Sequence, residues 1–131
     1  MFELTKAIGQ KNQGQALYFL AELLRSGNNE ISTLALIKRH IRILFQIKKA
    51  LSTGVAQSQI ASLVGVPPFF VNEYIQQVRL WSEKGVLQAI ENLKNTDMAL
   101  KSSPLSSHIW LENFIIKSCN EKSMGSVQAR A

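Results

Sequence analysis

Cysteine is nearly missing from this chain: Cys119 stands alone among 131 residues, so there is no internal disulfide and no cysteine-based zinc site. No apolar run approaches the roughly 18 residues that span a bilayer. The N-terminus, MFELTKAIGQ, lacks the charged-then-apolar layout of a secretory signal. Strand signals are scarce too, since no long segment alternates apolar and polar residues and no Asn-Gly or Asp-Gly hairpin turn occurs. The most local absence is of acid. Between Ile31 and Asn72 there is no aspartate or glutamate, while Lys38, Arg39, Arg42, Lys48 and Lys49 all fall there. These features suit a cytoplasmic protein without a membrane partner.

Apolar residues make up 46% of the chain and charged residues 18%, a globular composition, and the length fits one ordinary domain. Fifteen basic against nine acidic residues give a formal charge of +6, which favours polyanions or acidic protein partners without choosing between them.

Helical spacing appears almost everywhere. Phe2, Leu4, Ala7 and Ile8 predict a short first helix stopping near Gly9; Asn12 is placed to cap a second, with a Leu17, Leu20, Leu24 stripe that ends at Ser26-Gly27. A third helix is predicted from about Glu30 to Leu51. Its apolar arc covers about half the circumference, which marks it as the central element. Lys38, Arg42, Gln46 and Lys49 line its polar strip, whereas Lys48 and His40 fall within the apolar arc. Gly54 breaks the chain before a short helix, Ser58 to Val64, that ends at Gly65. Pro67-Pro68 opens a fifth helix with Val71, Tyr74, Ile75, Val78 and Trp81 on one face. Gly85 separates it from a sixth, Val86 to Lys101. Ser102-Ser103-Pro104 reads as a loop, and Ser106 or Ser107 caps a last helix through about Cys119. Residues 1–119 therefore read as a single all-α multi-helix bundle, and 120–131 as a flexible tail with little to bury.

Catalytic chemistry is sparse. His40 and His108 are the only histidines, and nothing in the sequence resembles an activated nucleophile with a neighbouring base. The nearest approach to a phosphate-cradling loop, Gly9 to Gly14, has Gln15 where the lysine belongs. No catalytic residue, metal or cofactor is expected. Asp97 is the unusual acid, lying within the stripe of Val86, Ile90, Leu93 and Leu100; a carboxylate buried there needs a cation, and Lys48 and Arg79 are the candidates for a buried ion pair.

The segment IASLVGVPPFFVNEYIQQV has the outline of a helix-turn-helix, with Ala61 at the tight contact and Gly65 at the turn. A DNA-binding domain is thus the alternative function. Against it, the outward positions of the second helix are Pro67, Pro68, Phe69, Asn72, Glu73 and Gln76, none of them basic. The same outline serves as a plain αα corner, on which Phe69 and Phe70 are candidate partner-facing anchors. Lys38, Arg42 and Lys49 are a second candidate surface.

The order of segments carries a further signal. Phe2-Glu3-Leu4-Thr5-Lys6-Ala7-Ile8 is followed by Ala16-Leu17, Leu23-Leu24 and Gly27, then by Ile37-Lys38-Arg39-His40-Ile41-Arg42. After Gly54 come Ile60-Ala61, Gly65-Val66-Pro67-Pro68-Phe69, Leu87, Leu93, Asp97, Leu100-Lys101 and Leu111-Glu112. Across about residues 2–119 this ordered set resembles the C-terminal domain of the delta subunit of bacterial DNA polymerase III. The resemblance implies a collar-like helical domain of the clamp loader, the assembly that opens the ring-shaped sliding clamp and places it on primed DNA. It implies oligomerisation rather than catalysis, with gamma/tau and delta-prime subunits as partners and the clamp and DNA reached only through the full assembly. It also implies that the chain is a fragment lacking the N-terminal, clamp-opening part of such a subunit. One departure falls near Ser102–Ser107, where a glycine often follows the lysine in that family.

Overall fold

Side-chain caps and backbone breakers set most of the boundaries in the computed structural model of this chain. It describes residues 2–102 and 107–130, the side chains of Phe2 and of residues 121–130 excepted. Seven helices form among the described residues: α1 (Phe2–Gly9), α2 (Gln13–Arg25), α3 (Glu30–Ser52), α4 (Gln57–Val64), α5 (Pro68–Val78), α6 (Glu83–Ser102) and α7 (Ser107–Arg130). Asn12 Oδ1 accepts the backbone N–H of Gln15 at 3.2 Å and Asn29 Oδ1 that of Ser32 at 2.8 Å, satisfying donors that open α2 and α3. Gly65 closes α4 in the left-handed conformation, φ 74°, and its N–H bonds back to the Ala61 carbonyl. Pro68 occupies the first turn of α5, where its missing N–H costs nothing.

Three boundaries differ from the sequence expectation. Gly85 is not a separator: it lies buried in the first turn of α6, and Ser82 Oγ accepts its N–H at 2.9 Å. That serine starts α6 earlier than the apolar stripe does. Trp81 consequently sits in the α5–α6 turn and not on α5. Helix α7 runs on to Arg130, beyond the stop expected near Cys119. The loop expected at Ser102-Ser103-Pro104 and the cap at Ser106 fall largely on residues 103–106, outside the described residues; Ser102 itself is the last residue of α6.

Helix α3 is the axis of the bundle, packing against α1, α4, α5, α6 and α7. Its Leu34, Ile37, Ile41, Leu44 and Ile47 are fully buried, as the wide apolar arc requires. Burying each such side chain contributes about 1.5–3 kcal/mol before the entropy of ordering the chain is set against it. Phe114, Ile115 and Leu111 of α7, Leu4 and Ile8 of α1, and Trp81 complete one contiguous core. Among the described residues no helix is long and apolar enough to cross a membrane.

Candidate functional site

Two outward surfaces and one buried polar cluster stand out from the packed core. The first surface follows α3. Positions 38, 42 and 49 fall on one face because four and seven residues are close to whole turns of an α-helix. Arg42 and Lys49 are exposed, and Lys38 is partly covered by α6. Lys38 and Arg42 stand with Lys94 of α6 around a groove of about 200 Å³ whose apolar wall is Ile41, Ile90 and Leu93. Lys49 lies farther along α3, its ammonium 6.0 Å from the Phe45 ring centroid.

Asp97 belongs to this surface, which corrects the ion pair expected from sequence. Its carboxylate is 3.5 Å from Lys38 Nζ and 3.3 Å from Lys101 Nζ; neither Lys48 nor Arg79 is its partner. The side chain is 27% exposed, so the pair is not buried either. Geometry explains the exchange. Lys48 is ten residues beyond Lys38, about 15 Å along the α3 axis, and Arg79 is exposed at the end of α5. Lys101 was overlooked, although it is the i+4 neighbour of Asp97 on the same helix. The Lys101 hydrogen bond, helped by the Lys38 charge, holds the Asp97 carboxyl below its usual value.

The second surface is the α4–α5 corner. Phe69 is 78% exposed and Leu63 62%, with Pro67 and Pro68 also outside. The two phenylalanines have separate roles. Phe70 is half-buried and packs on the core, and its ring lies 4.4 Å from that of Phe69, which it props outward.

The buried cluster joins four elements and went unrecognised in the sequence apart from His40. His40, on the apolar arc of α3, is a buried and satisfied histidine. Its Nε2–H donates to Gln77 Oε1 at 2.7 Å, and Gln77 Nε2 donates to Glu73 Oε2 at 3.3 Å. The tautomer follows from the chain of bonds, because a carboxylate only accepts and so turns the amide oxygen toward the ring. Burial pushes the His40 pKa down. Beside it, Trp81 Nε1 donates to the Gly9 carbonyl at 3.0 Å, and the Lys11 ammonium sits 3.7 Å over the Trp81 ring while donating to the Ser118 carbonyl. The signal was present: Gln77 is a polar residue three positions after Tyr74, on the apolar face of α5.

This cluster ties helices together and leaves no open reacting position around His40, which is 5% exposed. His108 is exposed on the first turn of α7. Burial raises the Cys119 thiol to about 11, which keeps it protonated and unreactive at neutral pH. Among the described residues no three His, Cys, Asp or Glu side chains are grouped so as to hold a metal ion. On α5 the outward Pro68, Phe69, Asn72 and Gln76 present no cation to meet phosphates or the guanine edge.

The described residues thus form an all-α bundle with a cationic surface on α3 and α6 and an exposed apolar corner at α4–α5. The sequence matches the family described as DNA polymerase III delta subunit, C-terminal domain, over residues 1–118, and the chain belongs to that family. It is 32% identical over 117 residues to the DNA polymerase III subunit delta of Bacillus subtilis (strain 168), covering 89% of this chain and 34% of that protein. The solved structure of the Bacillus subtilis DNA clamp loader delta protein superimposes with a TM-score of 0.78 at 31% identity, over 91% of this chain and 35% of that one. The chain thus spans about a third of the length of these relatives. The comparisons give no support to a helix-turn-helix DNA-binding domain.

Proposed function

We propose that this chain is the collar domain of a delta subunit, the part through which the subunit is held in a DNA polymerase III clamp loader. The observation that carries the proposal is its likeness to the clamp loader delta protein along nearly the whole bundle. Its partners are gamma/tau and delta-prime subunits, while the sliding clamp and DNA are reached only through the assembly. A collar member has a neighbour on each side. The molecule offers two surfaces of different character for them, a cationic one on α3 and α6 and an apolar one at the α4–α5 corner.

The domain's contribution is positional. Catalysis of DNA synthesis resides elsewhere in the holoenzyme, and this bundle supports clamp loading in the cytoplasm by fixing the subunit in the ring. Residues 1–119 form the domain, and 120–131 act as its tail. Co-purification with gamma/tau and delta-prime after nuclease treatment tests the proposal. Retention of the chain supports it. Loss of the chain on nuclease treatment, or binding to one duplex sequence that weakens steeply with salt, overturns it in favour of DNA binding.

A further inference from the structure

The groove between α3 and α6 combines features that restrict what fits it. Its volume, about 200 Å³, exceeds the ~150 Å³ of a cavity able to hold benzene, so it has room for one large apolar side chain. Its wall is aliphatic: Ile41, Ile90 and Leu93. Its rim is cationic, from Lys38, Arg42 and Lys94. Lys38 is already shared with Asp97, which fixes its ammonium at one side. Arg42 and Lys94 are exposed, and among the described residues neither has a carboxylate in ion-pair range.

We infer that this groove is a docking site for an acidic segment of a neighbouring subunit, which inserts one large apolar side chain between carboxylates that meet Arg42 and Lys94. The inference rests on the collar proposal and names the chemistry of one of its contacts. Three observations favour this occupant. Arg42 presents a planar fork suited to a carboxylate, and the adjoining α3 surface belongs to the stretch from Ile31 to Asn72 that contains no acid to compete. A second copy of this chain is a poor ligand, because its nine acids are scattered; the nearest two, Glu91 and Asp97, are six positions apart (97 − 91). Single-stranded nucleic acid needs aromatic faces on which to stack, and the groove has none.

The test uses Glu91→Cys, which puts a thiol at the exposed α6 position next to Ile90 and three residues before Lys94, and leaves the three cations and the apolar wall intact. Cys119 is buried with a raised pKa, so a maleimide-benzophenone reagent labels position 91 selectively. The labelled chain is mixed with gamma/tau, delta-prime and a thirty-nucleotide DNA (about 30 bases, several single-strand site sizes), then irradiated, and the cross-linked fragment is sequenced. The expected result is a subunit segment with at least two carboxylates flanking a Leu, Ile, Met or aromatic residue. The Arg42→Glu/Lys94→Glu variant should keep its helical content and lose at least tenfold in cross-linking. If the assembly forms without a cross-link, with one to DNA or a non-acidic segment, or equally well with the variant, the inference is overturned and the collar proposal stands. If no assembly forms, both fail.

Discussion

Gly9 ends α1 against the side chain of Gln77, and the approach is close enough that a methyl group has no room. A Cβ there would lie 1.8 Å from Gln77 Oε1 and 3.0 Å from His40 Nε2. Gln77 cannot swing aside freely, since it bonds His40 on one side and Glu73 on the other. Gly9→Ala should therefore destabilise the chain by about 1–3 kcal/mol in urea unfolding, as overpacking does. Adding Gln77→Ala should recover part of that loss, a non-additivity expected only of residues in contact. His40 gives a pH signature at the same place. Its pKa is lowered by burial, so below the ordinary value of 6.5 the unfolded chain binds the proton more readily than the folded one. Stability should be fully present above about pH 6.5 and decline as the pH falls below it. The uncharged His40→Gln variant should show a flatter thermal-midpoint profile across that window; an identical decline would remove His40 as its source.

At the scale of helices, the ion bridge and the corner make opposite demands. Asp97 links α6 to α3 through Lys38 and is supported from its own helix by Lys101. Its lowered pKa means that its contribution is present above the ordinary value near 3.8 and is lost as the pH falls through the lower folded value. Asp97→Asn should accordingly cause a small fall in thermal midpoint at neutral pH and low salt, shrinking in high salt and in acid. A loss unchanged by salt would point to packing. At the corner, Phe69→Ser should stay within ~0.5 kcal/mol of the parent stability, as exposed sites do, yet weaken binding to a neighbouring subunit. Phe70→Ser, half-buried on the core, should cost more in unfolding.

These elements also show how far the sequence could be followed. The arc of Leu34, Ile37, Ile41, Leu44 and Ile47 announced a helix covered on several sides, and the cap at Asn12 was legible because it acts over three residues, whereas the equivalent cap at Asn29 came from the structure. The start of α6 was misplaced because Gly85 suggests a break until the Ser82 cap is seen. The partner of Asp97 and the Gly9–Gln77 contact depend on how distant helices are juxtaposed, and no spacing along one chain encodes that directly. The groove was half visible: its α3 cations were on a predicted strip, but Lys94 and the apolar wall came from packing α6 beside it.

At the scale of the whole molecule, a bundle with its polar cluster sealed inside and two unlike surfaces outside is suited to being held between neighbours. Its net charge of +6 would draw DNA weakly and without sequence preference, so charge alone cannot distinguish a collar member from a DNA reader. Assembly can. The most direct measurement is the mass, by light scattering after size exclusion, of an equimolar mixture of this chain with purified gamma/tau and delta-prime free of nucleic acid. The account predicts one species containing all three components, with the chain lost from it when Phe69→Ser is combined with Arg42→Glu. Elution of the chain apart from a gamma/tau–delta-prime complex would contradict it.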